Sequence, residues 1–153
     1  MESTSPAYIV LAEDNPGDIV LVREAFREHK IACNLHILKD GEAALDYFSS
    51  LSTDETARCP DIVLLDLNLP KHNGDKVLQN LRAGTRCAKT PVLVLTSSES
   101  KNDRNRIESH SARYFRKPST LADFMLVGGI VKEILSTSTE KDTALQVPFC
   151  AST

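Results

Sequence analysis

DIVLLDLNLPKHNG, residues Asp61 to Gly74, places four apolar side chains, Ile62 to Leu65, directly ahead of an acid, Asp66. A run that apolar marks a strand buried on both faces, as in a parallel sheet covered by helices. Leu69-Pro70 and Gly74 then lead the backbone out of the sheet. The crevice beyond the carboxyl ends of such strands is where ligands bind, so Asp66 becomes a candidate functional residue. Taken alone, the same acid could equally be a strand-ending residue that caps a turn.

Outward from this stretch, other segments repeat the pattern. Tyr8 to Ala12 is a short apolar run ending in Glu13-Asp14, followed by the turn cluster Asn15-Pro16-Gly17-Asp18. Asp18 is placed to cap a helix carrying Ile19, Val22, Ala25 and Phe26 at spacings of three and four. Leu35 to Leu38 reads as a second strand, and Asp40-Gly41 opens a second helix through Leu51. Residues 52–60 are a polar surface loop. After Gly74 come a helix with Val77, Leu78 and Leu81, and an apolar strand, Pro91 to Thr96, that ends in a hydroxyl. Lys101 to Ser111 reads as a helix with Ile107 almost its only apolar anchor. Arg113 to Arg116 forms a short fifth strand before Lys117-Pro118, and a last helix spans about Thr120 to Leu135, although Gly128 and Gly129 inside it cost about 1 kcal/mol each relative to alanine.

Five strands alternating with five helices over 153 residues predict one α/β domain, a doubly wound five-stranded parallel sheet. The flavodoxin-like strand order 2-1-3-4-5 is assumed by analogy. The expected organisation is an N-terminal extension over 1–6, a domain over 7–136 and a tail over 137–153. That tail is partly mobile, or else a latch built on Val147-Pro148-Phe149 that holds the body or a second subunit.

Composition narrows the function. Apolar content of 41%, charged content of 25% and a net charge of −3 suit a soluble globular protein and supply no general attraction to nucleic acid. Without a basic, apolar leader or a stretch long enough to span a bilayer, a cytoplasmic chain with no membrane partner is expected. Cys33, Cys59, Cys87 and Cys150 lack zinc or CxxC spacing and read as reduced, incidental thiols. His29, His36, His72 and His110 share no metal-like spacing and read as surface or loop residues.

On the expected sheet, Glu13 and Asp14 follow strand one, Asp66 strand three, Thr96 strand four and Lys117 strand five, all along one edge. Three carboxylates gathered there repel unless one is protonated or a cation neutralises them. Oxygen ligands with several retained waters suit Mg²⁺. A carboxylate beside that ion can attack a phosphoryl group, while a lysine ammonium and a hydroxyl neutralise the charge on the phosphoryl oxygens.

These residues together resemble the receiver domains of two-component response regulators: the acid pair in LAEDN, the aspartate in LLDLNLPKHNG, the hydroxyl in VLVLTS and the lysine-proline in YFRKP. EDNPGD, LLDLNLPK, the loop before strand three and KPSTLADFM resemble the stand-alone subfamily that partners phytochromes. The resemblance implies that a histidine kinase, of the phytochrome class for this subfamily, phosphorylates Asp66. It implies that Asp14, Asp66 and the Asn68 backbone carbonyl hold Mg²⁺, with Glu13 acting through a bound water, and that Lys117 contacts the phosphoryl group. Thr96 and Tyr114 would form the coupled switch pair, the Lys117–Pro118 bond would be cis, and homodimers would form through the fourth helix, fifth strand and fifth helix. Ser111 departs from the glycine often found before the alanine of strand five. The implied protein is a phosphoacceptor switch rather than an enzyme, with no activity beyond acquiring and losing its own phosphoryl group. The alternative, an aspartyl-phosphate phosphohydrolase, needs a second acid two residues after the nucleophile, where this chain has Asn68. A flavodoxin-like carrier needs a phosphate-cradling loop after strand one, and none follows.

Overall fold

The structure, a computed structural model, describes residues 5–98 and 100–137. The elements in chain order are β1 (Ala7–Ala12), α1 (Pro16–Glu28), β2 (Cys33–Leu38), α2 (Gly41–Thr53), β3 (Ile62–Asp66), α3 (Gly74–Ala83), β4 (Val92–Thr96), α4 (Lys101–Ser109), β5 (Arg113–Arg116) and α5 (Leu121–Phe124). A further helix, α6, occupies 126–137. The strands form one parallel sheet in the order β2-β1-β3-β4-β5, the doubly wound arrangement expected from the alternation.

Every residue of β3 and β4 is buried. Because successive side chains on a strand face opposite ways, each strand supplies two cores. Val10, Val63, Leu65, Val92 and Val94 meet α2 to α4 through Phe48, Leu78, Leu81 and Ile107. Ile9, Leu11, Ile62, Leu64, Leu93 and Leu95 meet α1 and the last helices through Val22, Phe26, Phe124, Val127 and Val131. Each such side chain contributes roughly 1.5–3 kcal/mol on burial. The sheet is therefore packed from both sides.

Helix starts follow the strand ends closely and are capped by side chains. Asp40 accepts from the Ala43 N–H, Asn73 from Lys76, Ser100 from Asp103 and Thr120 from Asp123. The cap of α1 is Asn15, which accepts from the N–H groups of Gly17 and Asp18 at 2.8 and 3.2 Å. This corrects the expectation that Asp18 caps α1. Pro16 fills the first helical position, where its missing N–H and fixed φ are harmless, so the cap is the residue just before it, Asn15, three residues ahead of Asp18. The fourth helix is, as expected, thinly held, with Ile107 its buried residue.

Two other expectations change. Cys59 and Cys87 form a disulfide across 28 residues, with Cα atoms 5.7 Å apart, so these thiols are neither reduced nor incidental. The loop before β3 and the loop before β4 lie side by side there, a proximity that spacing alone does not reveal. Cys33 is a free, half-buried thiol, and Cys150 lies outside the described residues, as does the proposed latch at Val147-Pro148-Phe149. Among the described residues no peptide bond is cis, so Lys117–Pro118 is trans, the isomer that X–Pro bonds favour by about 0.5–1 kcal/mol.

The last helix is interrupted at Met125, whose carbonyl accepts from His29 Nε2 at 3.0 Å. Gly128 explains itself here: a Cβ on it would come within 2.4 Å of the Ala25 carbonyl oxygen and of the His29 ring. Its absence lets α6 close on α1 and offsets the propensity cost. Ser111 has φ 60°, the left-handed region that favours glycine, which gives the departure from glycine there a physical meaning. No helix among the described residues is long and apolar enough to cross a membrane.

Candidate functional site at the strand ends

Beyond the carboxyl ends of β1, β3 and β5 lies an open cleft of about 470 Å³, lined by Glu13, Asp14, Asn15, Pro16, Asp18, Asp66, Asn68, Ser97 and Lys117. Its position follows from topology. In the order 2-1-3-4-5, the chain leaves β1 and β3 toward opposite faces of the sheet, and a crevice opens between the two exits.

Each acid is placed by its own local structure. Glu13 extends the ladder of β1, donating its N–H to the Leu38 carbonyl at 2.9 Å, and is only 1% exposed. Asp14 is exposed at the rim. Asp66 ends β3 and is 5% exposed; its Oδ1 accepts from the Asn68 N–H at 3.0 Å. One carboxylate oxygen from each of Glu13, Asp14 and Asp66 lies within 4.8 Å of the others. Gly74 closes the loop after β3, donating its N–H to the Leu67 carbonyl at 2.8 Å. A Cβ at Gly74 would sit 2.5 Å from the Asp66 carbonyl oxygen and 2.8 Å from the Leu67 Cα, so only glycine lets the start of α3 reach the acid this closely.

Lys117 crosses the cleft from β5. Its backbone N–H is fixed to the Thr96 carbonyl at 2.7 Å. Its Nζ lies 2.7 Å from Asp18 Oδ2, 2.8 Å from Glu13 Oε1 and 3.4 Å from Asp66 Oδ2. Burial opposes charge on this ammonium, but hydrogen bonds to Asp18 and Glu13 and the fields of Asp66 and Glu13 outweigh it and hold the lysine firmly protonated. Glu13 goes the other way. Burial pushes its carboxyl up to about 7, relieved in part by the Lys117 hydrogen bond and reinforced by Asp66. An acid that protonates near neutrality beside two others is the signature of an under-neutralised cluster. Hard oxygen donors of this number suit a divalent cation bound with water, so the residues present fit a metal.

Sequence reasoning placed Glu13, Asp14, Asp66, Thr96 and Lys117 along this edge, with Asn68 and Tyr114 added by the family resemblance; Glu13, Asp14, Asp66, Asn68 and Lys117 line the cleft, while Tyr114 lies within β5. Thr96 is fully buried, with its Oγ1 accepting from the Ser98 N–H at 3.1 Å, while Ser97 rather than Thr96 lines the cleft. The Tyr114 hydroxyl donates to the Ser98 carbonyl, so Thr96 and Tyr114 are joined through Ser98. Asp18 is the residue missed. Pro16 was the available signal, since a proline at the first helical position assigns the cap to Asn15 and leaves Asp18 free to face the cleft.

The receiver-domain profile, described as Response regulator receiver domain, matches residues 9–126. The chain is 37% identical to the response regulator Rcp1 of Synechocystis sp. over 140 residues, 90% of this chain and 95% of that protein. It is also 37% identical to the probable methanogenesis regulatory protein FilR2 of Methanothrix harundinacea over 134 residues, 87% of this chain and 86% of that one. Among solved structures, the phosphorylated cyanobacterial phytochrome response regulator RcpA superposes with a TM-score of 0.77 at 32% identity, over 87% of this chain and 96% of that chain. The Mn²⁺-bound form of Rcp1 gives 0.73 at 35% identity, over 82% and 91%. The chain therefore belongs to the response regulator receiver domain family, the phosphoacceptor modules of two-component signalling.

Proposed function

We propose that Asp66 is the phosphoacceptor of this chain and that residues 7–136 act as a phosphorylation-driven switch of protein–protein contacts. The observation that carries this reading is the meeting, at the end of β3, of three acid oxygens within 4.8 Å and the Lys117 ammonium 3.4 Å from Asp66. Asp14 and Asp66, with the Asn68 carbonyl, would hold Mg²⁺, and Glu13 would act on it through water. The ion supplies neutralisation of charge that develops on the phosphoryl oxygens. Asp66 would then offer one carboxylate oxygen to phosphorus, and as the O–P bond forms the N–P bond of the donor kinase's phosphohistidine breaks, the histidine imidazole leaving with the electron pair and taking up a proton. Lys117 provides a further positive charge at the new phosphoryl group, and the Thr96 hydroxyl, freed from Ser98, rotates toward it. Tyr114 follows through the shared Ser98 contact and changes the face built from α4, β5, α5 and α6, shifting a two-state equilibrium. Acquiring its own phosphoryl group and losing it by hydrolysis at the same site is the only chemistry proposed for the chain itself.

The similarity to the phytochrome response regulator RcpA supports a phytochrome-type histidine kinase as donor; a cytoplasmic setting, and homodimerisation through the α4–β5–α5 side with help from the tail, are proposed from the family resemblance of the sequence. The metal assignment is tested by Mg²⁺ titration: Asp14→Ala should abolish binding, whereas Asn68→Ala, which keeps the carbonyl, should bind nearly as wild type. The partner assignment is tested by incubation with phytochrome-type and unrelated histidine kinases, following transfer to Asp66 and particle mass by light scattering. Equal transfer from all kinases would remove the specific partner, and a mass of one chain both before and after transfer would remove the dimer.

A further inference from the structure

An ammonium has three protons to donate, and Lys117 meets three carboxylates, of which the proposed phosphoacceptor is the most distant: 3.4 Å to Asp66 against 2.7 Å to Asp18 and 2.8 Å to Glu13. The lysine backbone is pinned to Thr96, so what can vary is the choice of partner. The two short bonds are not equivalent. The Glu13 side chain is 1% exposed and its second oxygen accepts from the Asn15 N–H at 3.1 Å; without the lysine, a buried carboxylate would retain one donor. The Asp18 side chain is 24% exposed and sits in the first turn of α1, where water and the helix N-terminus can take over its charge. Asp18 is thus the partner that Lys117 leaves at least cost.

We propose that Asp18 is a positioning residue that draws Lys117 toward itself in the resting state, leaving Asp66 the longest of the three contacts, and yields it when Asp66 carries a phosphoryl group; this rests on the reading of Asp66 as phosphoacceptor. A group on Asp66 that draws the ammonium closer than the present 3.4 Å then competes with Asp18 for it. Asp18 thereby sets how strongly the phosphorylated state is favoured without touching the phosphoryl group itself. Removing its negative charge removes the competitor.

The test uses the full chain with Mg²⁺ and beryllofluoride, which bonds a carboxylate oxygen in place of a phosphoryl group, with binding followed by ¹⁹F NMR and calorimetry. Asp18→Asn is expected to tighten adduct formation about two- to fivefold, the range in which partly exposed ion pairs shift equilibria. Asp18→Glu, which keeps the charge, should stay near wild type. In a Lys117→Met background the Asp18→Asn gain should vanish, a coupling that loss of a helix-start charge alone would not produce. Unchanged or weaker adduct formation in Asp18→Asn, or the same gain without Lys117, would overturn the inference. Adduct formation that survives Asp66→Asn would instead remove the phosphoacceptor assignment, and the inference with it.

Discussion

Gly74→Ala probes how the fold holds the site. The added methyl would have to occupy space 2.5 Å from the Asp66 carbonyl oxygen, 2.8 Å from the Leu67 Cα and 3.1 Å from the Asp66 carbonyl carbon, all of them backbone atoms. No flexible side-chain end is there to give way. Relief requires the start of α3 to back off from β3, which strains the packing of Val77 and Leu78 and stretches the 2.8 Å bond from the Gly74 N–H to the Leu67 carbonyl. Overpacking of this kind costs about 1–3 kcal/mol, and loss of the hydrogen bond about 1 kcal/mol more. The combined loss of about 2–4 kcal/mol should appear as a lower urea midpoint at unchanged slope, and as a melting temperature about 5–15 °C lower for a chain of this size. Because the displaced atoms belong to Asp66 itself, Mg²⁺ affinity should fall in the variant even where it remains folded. Gly17→Ala is the control, since a Cβ there meets only the Asn15 side chain at 3.1 Å. A Gly74→Ala protein within about 0.5 kcal/mol of wild type with unchanged Mg²⁺ affinity would refute the close-approach reasoning.

Two further outcomes are expected. Reduction of Cys59–Cys87, or Cys59→Ser, should cost about 3–4 kcal/mol by loop entropy across its 28-residue span. Mg²⁺ binding should survive, because the bridge joins loops at the opposite end of the sheet and Arg86 still donates to the Leu51, Asp54 and Ala57 carbonyls; urea midpoints that do not move with reductant would refute it. In metal-free buffer, Glu13 has its pKa at about 7 when folded against 4.5 as its ordinary value. A raised folded value gives a stabilising contribution that is complete below 4.5 and is lost as pH rises through about 7. Wild type should therefore lose stability relative to Glu13→Gln between about pH 5 and 8, by at most about 1.4 kcal/mol per pH unit, and a difference that stays flat or runs the other way would exclude the assignment.

The fold was legible because its strands carry the signal locally. Ile62 to Leu65 and Val92 to Leu95 are buried on both faces and can be read from composition alone. The acids of β1 and β3, Thr96 and Lys117 could be placed at one edge because parallel strands bring every carboxyl end to the same side. What escaped depends on contacts between distant segments. Cys59 and Cys87 meet only because α2 and α3 end beside one another, and nothing in a 28-residue spacing announces it. Gly128 looks costly until Ala25 and His29 are seen to fill its place. Asp18 was misread for a local reason: the cap preference of an aspartate was weighed without the stronger constraint of Pro16 beside it. Its bond to Lys117 spans 99 residues and lies beyond any local pattern.

The central claim is tested most directly by incubating the full chain with Mg²⁺ and a small acyl phosphate donor, then locating the acid-labile phosphoryl group by mass spectrometry. The account predicts one phosphoryl group, on Asp66, absent in chelator and absent in Asp66→Asn. Uptake of the same label by Asp66→Asn, or its location on another acid in the wild-type chain, would contradict it.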